Sequence, residues 1–176
     1  MSSTTAERLL EAGLDELRAV GAETLTIRTV AQRAGLSPAT AYTYLASKNR
    51  LYAELFWRFL LEDADVRPDG VDPVARVQWV TRRLGERLAA APELAAAVTP
   101  ALLSHDPEVE ELRLRIGAEL VRRFEVAAGD AGAEAVEALT LAFSGALLQA
   151  GMGLMTYAEM ADRLDVVVAV IMRGSR

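Results

Sequence analysis

The 176-residue chain has no cysteine, one histidine and one lysine. Without cysteine there is neither a disulfide framework nor a thiolate metal site. The lone His105 follows Ser104 and precedes Asp106-Pro107, so it reads as a loop residue. A metal site on His105, Asp106 and Glu108 would need neighbours in sequence to converge on one point, and no metal or cofactor is expected. The chain also lacks a phosphate-cradling glycine loop, an HExxH pair and a second histidine for a serine triad. The carboxylates of 108–112 (EVEEL) have nothing nearby to separate their pKa values and read as a solvated helix face. No catalytic residue is therefore assigned. The N-terminal MSSTTAERLLEAG lacks a basic region followed by an apolar core, so cytoplasmic residence is expected.

Strand patterning is absent as well. Only VVVAVI (166–171) is β-branched enough for a strand, and with no partner run it reads as buried helix. The uncharged stretch 138–155 approaches a membrane span in length. Thr140, Ser144, Gln149 and three glycines dilute it, and no basic residues anchor its flanks. A buried helix is expected there, not a membrane helix.

Acid is missing from one place in particular. Residues 24–50 hold Arg28, Arg33, Lys48 and Arg50 and no aspartate or glutamate, in a chain of net charge −6. Residues 1–50 carry a net +1, so the remainder carries −7. A basic stretch on an acidic body steers DNA toward one face. Arg33 and Arg50 are expected to be solvated surface charges.

Periodicity predicts an all-α chain of about nine helices, three or four in an N-terminal head and the rest in a body. Leu9, Leu10, Leu14, Leu17 and Val20 stripe helix one, from Thr5 to Val20, with Gly21 as its stop. Thr24 or Thr26 caps helix two, which Gly35 ends. Ser37 and Pro38 open helix three, which closes near Leu45, and Ser47 caps helix four over 48–64. RPDGVDP (67–73) is a linker, and Asp72-Pro73 starts helix five, running to about Ala90. Pro92 and Pro100 bracket a short helix. Asp106-Pro107 begins one that ends near Ala128, followed by helices over 133–156 and 158–172. Residues 1–47 are taken as a helix-turn-helix DNA-binding domain. Residues 48–176 are taken as a helical ligand-binding and dimerisation domain, with helix 48–64 linking the two.

In helix three, Ala41 and Leu45 form the rear face, which leaves Ala39, Thr40, Tyr42, Thr43 and Tyr44 forward or flanking. Threonine hydroxyls can bond base edges or phosphates, and tyrosines can reach the backbone. The N–H groups near Thr26 and Ser37 suit phosphate oxygens. Lys48 is a point charge placed for a phosphate.

These residues carry a resemblance. RLLEAGLDELRAVGAETLTIRTVAQRAGLSPATAYTYLASKNRLYAEL resembles the N-terminal domain of the tetracycline-repressor (TetR) family of bacterial transcription regulators. The match spans about 6–56 and rests on many positions agreeing in register: Gly21, Leu25 to Arg28, Val30-Ala31, Ala34 to Ser37, Thr40, Tyr42, Leu45, Ser47-Lys48 and Leu51. The resemblance implies that Thr26 and Arg28 touch phosphate and that Tyr42 and Lys48 clamp it. It places Ala39, Thr40, Thr43 and Tyr44 nearest the bases. Ala41 is smaller than the family's usual aliphatic, and Leu45 replaces a frequent phenylalanine.

The resemblance also implies that the last two helices form a four-helix dimer interface. Ala142, Gly145, Ala146, Gln149 and Gly153 offer a small-residue face, and Leu164, Val167, Val168 and Ile171 complete it, with Met160 beside them. Trp79, Phe124, Phe143, Leu147, Met152 and Met155 are the candidates for an adaptable apolar ligand pocket. The expected function is a homodimeric repressor that binds a palindromic operator in double-stranded DNA and is released by a small apolar effector. The alternatives are a helical small-molecule-binding protein without operator binding, and an enzyme for which the sequence supplies no convergent polar groups.

Overall fold

The computed structural model describes residues 4–174, and among them the chain forms nine α-helices, two short 3-10 turns and no strand. The helices are α1 (Thr5–Thr24), α2 (Ile27–Arg33), α3 (Pro38–Leu45), α4 (Lys48–Leu61) and α5 (Pro73–Ala89). They continue with α6 (Pro92–Leu103), α7 (Glu110–Ala128), α8 (Ala133–Gly151) and α9 (Tyr157–Gly174). The 3-10 turns cover Pro107–Val109 and Gly129–Ala131. None of the described helices is long and apolar enough to cross a membrane. The VVVAVI run lies inside α9.

Capping chemistry set most of the helix starts. Thr26 Oγ1 accepts from the Thr29 amide, Ser37 Oγ from Thr40, Ser47 Oγ from Arg50 and an Asp72 carboxylate oxygen from Ala75. The ends differ more from expectation. Gly21 adopts φ 76° and breaks α1 without stopping it, since one more turn follows to Thr24. Pro100 lies within α6 instead of bounding it. The start of the next helix is a 3-10 turn, with the α-helix beginning at Glu110.

The chain packs as two compact units. The first takes residues up to Asp63 together with Pro92–Arg115. Its interior holds Leu9, Leu17, Leu25, Val30, Ala41, Leu51 and Phe56, each almost fully buried. A satellite cluster of Ala53, Val109 and Leu112 packs with Trp57 and Leu102. The Arg115 guanidinium sits 4.6 Å over the Trp57 ring. Gly13 of α1 lets α4 approach closely, because a Cβ there would lie 2.7 Å from Leu51 Cδ1.

The second unit comprises Ala64–Ala91 and Ile116–Arg176. Helix α9 packs along α5, with α8 against α9. The apolar stripes Val77, Val80, Leu84, Leu88 and Ile116, Leu120, Phe124 face inward, as their spacing predicts. Phe124 meets Phe143 edge to face, with ring centroids 5.8 Å apart.

Candidate nucleic-acid interface

Helices α2 and α3 are only seven and eight residues long, too short to be stable alone. Their apolar faces anchor them: Ile27, Val30 and Ala31 on α2, and Ala41 and Leu45 on α3, are buried. Polar clasps complete the job. Arg8 of α1 donates to the Ala34 carbonyl at the end of α2 (2.7 Å). Arg33 Nε donates to the buried Glu16 carboxylate of α1 (2.7 Å). The Arg33 hydrogen bond, helped by Thr29, holds the Glu16 carboxyl below its ordinary pKa.

The outer surface of α3 is what this anchoring presents. Ala39, Tyr42, Thr43 and Tyr44 are exposed, and Thr40 is half-buried. Tyr42 and Tyr44 keep about half their surface in solvent, at 53% and 48%. Ser37, also exposed, shares a 2.8 Å hydrogen bond with the Thr40 hydroxyl. The Thr43 hydroxyl donates to the Ala39 carbonyl at 3.0 Å, which leaves its oxygen free to accept.

At the start of α2, Thr26 and Arg28 are exposed. Thr26 and Thr29 cap each other reciprocally, the Thr26 amide donating to Thr29 Oγ1 at 3.2 Å. Arg28 makes no hydrogen bond or ion pair among the described residues, so its guanidinium is available. Thr26, Arg28, Ser37, Ala39, Thr40, Tyr42, Thr43 and Tyr44 thus belong to one helix-turn-helix whose outer surface carries one uncommitted cation, hydroxyls and phenols.

The other basic residues of the acid-free stretch are committed elsewhere. Arg33 is the partner of Glu16, and Arg50 bridges Glu54 and Glu108. Arg33 is an exposed surface charge as expected and Arg50 is half-buried, and both are in addition ion-paired, with acids that come from other segments or from just past residue 50. Glu108 is likewise an ion-pair partner and not part of a purely solvated face. Lys48 donates its ammonium to the carbonyls of Ala22, Glu23 and Leu25. These partners are distant in sequence, so spacing gave no signal for them.

Ser47 adds one further link. Its hydroxyl donates to Asp106 at the 3-10 turn, which joins the α3–α4 corner to the segment after α6. That hydrogen bond is the chief cause of the lowered Asp106 pKa. His105 beside it is exposed in the loop.

The body residues fall into distinct groups. Phe124, Phe143 and Met155 are buried, Trp79 and Leu147 are half-buried, and Met152 is exposed. Arg83 stands 5.3 Å over the Trp79 ring. One open hollow of about 810 Å³ is lined by Ala131 to Ala135, Ala138, Val170, Ile171 and Gly174. None of the six ligand candidates borders it.

Among the interface candidates, Gln149, Gly153 and Val167 are exposed, and Ala142, Gly145, Ala146 and Ile171 are half-buried. Leu164 and Val168 are corrected. They lie in one buried stripe with Met160 and Met172, inside the subunit's own core. A helix apolar on two faces does not reveal from its period which face stays free. The exposed apolar residues of α8 and α9 include Leu141, Val166 and Val170, which the sequence reading did not single out. Their four-residue spacings, Leu141 to Gly145 and Val166 to Val170, were the available signal.

An exposed, hydroxyl-rich recognition helix clamped to a helical frame defines the class: a helix-turn-helix regulator that binds DNA. Comparison with known proteins narrows it. The sequence model for bacterial regulatory proteins of the tetR family matches residues 9–55. HTH-type transcriptional regulators of Mycobacterium bovis and Mycobacterium tuberculosis H37Rv are each 45% identical over 175 residues. Each alignment covers 97% of this chain and 82% of the relative. The crystal structure of a TetR transcriptional regulator from Rhodococcus sp. RHA1 superposes with a TM-score of 0.81 at 20% identity, covering 96% of this chain and 94% of that one. The chain belongs to the TetR family of transcriptional regulators.

Proposed function

We propose that the protein is a repressor that binds a palindromic operator as a homodimer and is released by a small, largely apolar ligand. Residues 1–47 act as the DNA-binding domain. Residues 48–176 act as the ligand-binding and dimerisation domain, with α4 leading from one to the other. The observation that carries the reading is the outer surface of α2 and α3. All its contact candidates but the half-buried Thr40 are exposed there, and in this reading Arg28 and Thr26 meet phosphate, Tyr42 meets the backbone, and Ala39, Thr40, Thr43 and Tyr44 meet base edges.

A dimer fits this surface because two recognition helices roughly 34–36 Å apart read two halves of a palindrome. The exposed Gly153, Gln149 and Val167, with Leu141, Val166 and Val170, support α8 and α9 as its seam. Phe124, Phe143, Leu147, Met155 and Trp79 supply apolar surface for an effector, which works as a switch only by binding the two DNA-affinity states unequally. No catalytic step enters this reading, and the cytoplasm is where the operator would be met.

The test is selection of bound duplexes from a random pool by the purified protein at near-physiological salt. An enriched palindrome supports the reading and supplies the probe for an effector screen. Recovery of unselected sequence alone would favour a helical small-molecule-binding protein without operator binding.

A further inference from the structure

The residues of α3, PATAYTYL (38–45), include no arginine, lysine, histidine, asparagine, glutamine, aspartate or glutamate. Those are the side chains that tell base pairs apart by polar pairing in the major groove. Arginine or lysine takes the paired acceptors of guanine, asparagine or glutamine takes adenine, and a carboxylate takes the amino group of cytosine. A hydroxyl both donates and accepts, so serine, threonine and tyrosine suit more than one base edge. What α3 has left for discriminating bases is apolar: methyl groups that fit the 5-methyl of thymine.

The fold decides which methyls are offered. Ala41 and Leu45 are buried on the rear of α3, whereas Ala39 and Thr43 are exposed. Lying four residues apart, Ala39 and Thr43 share one face and stand about 6 Å apart along the helix axis. That separation spans about two base-pair steps of roughly 3.4 Å. The Thr43 hydroxyl donates to the Ala39 carbonyl at 3.0 Å, which selects one χ1 well and so fixes where the Thr43 methyl stands. Thr40, between them, is half-buried.

We propose that α3 reads thymine 5-methyl groups through the methyls of Ala39 and Thr43, so that each operator half-site holds A·T pairs under these two residues. Resting on the operator-binding reading, this names the bases that the same surface takes. Charge is left to the flanking helices, where Arg28 on α2 and Lys48 on α4 serve phosphates. Such contacts position a protein on DNA without carrying sequence information directly.

The test uses the full-length protein and duplexes carrying the sequence enriched in the selection above. Each thymine of the half-sites is replaced in turn by deoxyuridine, which keeps the pairing with adenine and removes only the 5-methyl. At two positions per half-site the replacement is expected to weaken binding about fourfold, the worth of one buried methyl-sized group. The penalty should be the same at low and high salt, because no charge is involved.

Two variants assign the Thr43 position. Thr43→Val keeps the methyl and drops the hydroxyl, and is expected to keep both penalties. Thr43→Ser keeps the hydroxyl and drops the methyl, and is expected to lose one penalty and keep the other. The deoxyuridine series on wild type needs neither variant, so it decides the proposal even where a variant does not fold.

A half-site of G·C pairs throughout overturns the proposal while leaving operator binding intact. So does an A·T-rich half-site whose deoxyuridine duplexes all bind as tightly as the parent, a result that would assign the preference to groove shape. A penalty lost in Thr43→Val and kept in Thr43→Ser would overturn the role of the Thr43 methyl. A wild type that enriches no sequence would instead sink the operator-binding reading, and the proposal with it.

Discussion

The unit that carries the helix-turn-helix (the head) and the unit that carries α5, α8, α9 and the rest of α7 (the body) are both helical, yet they are held in different ways. In the head, short helices are pinned by long side chains that cross to carbonyls or carboxylates: Arg8 to Ala34, Arg33 to Glu16, Lys48 to the end of α1 and Ser47 to Asp106. In the body, longer helices meet along apolar stripes, and Gly85 admits α9 so closely that a Cβ would lie 3.1 Å from the Tyr157 carbonyl. The difference follows from size. A seven-residue helix buries too little apolar surface to define its own position, so directional hydrogen bonds do so. A helix of seventeen or eighteen residues has area enough for packing to dominate.

Removing apolar volume from the body should therefore cost most. Phe124→Ala takes away a fully buried ring and its edge-to-face partner, and a loss of about 3–5 kcal/mol is expected in urea unfolding. A cost below about 1 kcal/mol would show that this core collapses to fill the gap and would break the contrast.

A buried carboxylate of the body, Glu119, responds to pH. Burial raises the Glu119 pKa, but hydrogen bonds from Arg122 and Arg123 more than offset it, so the net shift is downward. A carboxyl lowered on folding contributes stability above its unfolded pKa of about 4.3 and loses it as pH falls through the folded value. Wild type should therefore lose stability steeply below about pH 4, and Glu119→Gln should be less stable at neutral pH with a flatter acid limb. Parallel acid limbs in the two proteins would remove Glu119 from the account.

In the head, Ser47→Ala removes both the α4 cap and the link to Asp106, for an expected loss of about 1 kcal/mol in thermal unfolding. The smallest effect concerns Ala46, which adopts φ 53° between α3 and α4. Ala46→Gly should stabilise by a few tenths to about 1 kcal/mol, because a left-handed residue costs alanine more than glycine. A destabilised variant would mean that the loss of unfolded-state restraint outweighs the relieved strain.

Binding separates the roles within the head. Tyr42→Ala is expected to weaken retention of all duplexes alike, whereas Thr43→Ala should change which sequences are enriched. Equal enrichment profiles for wild type and Thr43→Ala would remove Thr43 from base reading.

Much of the head was readable because its signals are local. A serine before a proline or at the right spacing caps a helix wherever it occurs, so the starts of α3, α4 and α5 followed from Ser37-Pro38, Ser47 and Asp72-Pro73. The rear face of α3 followed from the spacing of Ala41 and Leu45. The partners of the head's cations did not follow. Lys48 lies 23 to 26 residues from its three acceptors, and Arg50 lies 58 from Glu108. A charge in sequence says only that it must be solvated or paired.

The sequence alone determined the helical class, the placement of the helix-turn-helix and the residues of its outer surface, since capping and periodicity act over three or four positions. Only the tertiary structure decided which side of α9 is spent on the core and which groups the head's cations pair with. Those outcomes depend on groups that folding brings together from distant parts of the chain, where apolar area and hydrogen-bond geometry select among faces and partners that the sequence leaves equivalent.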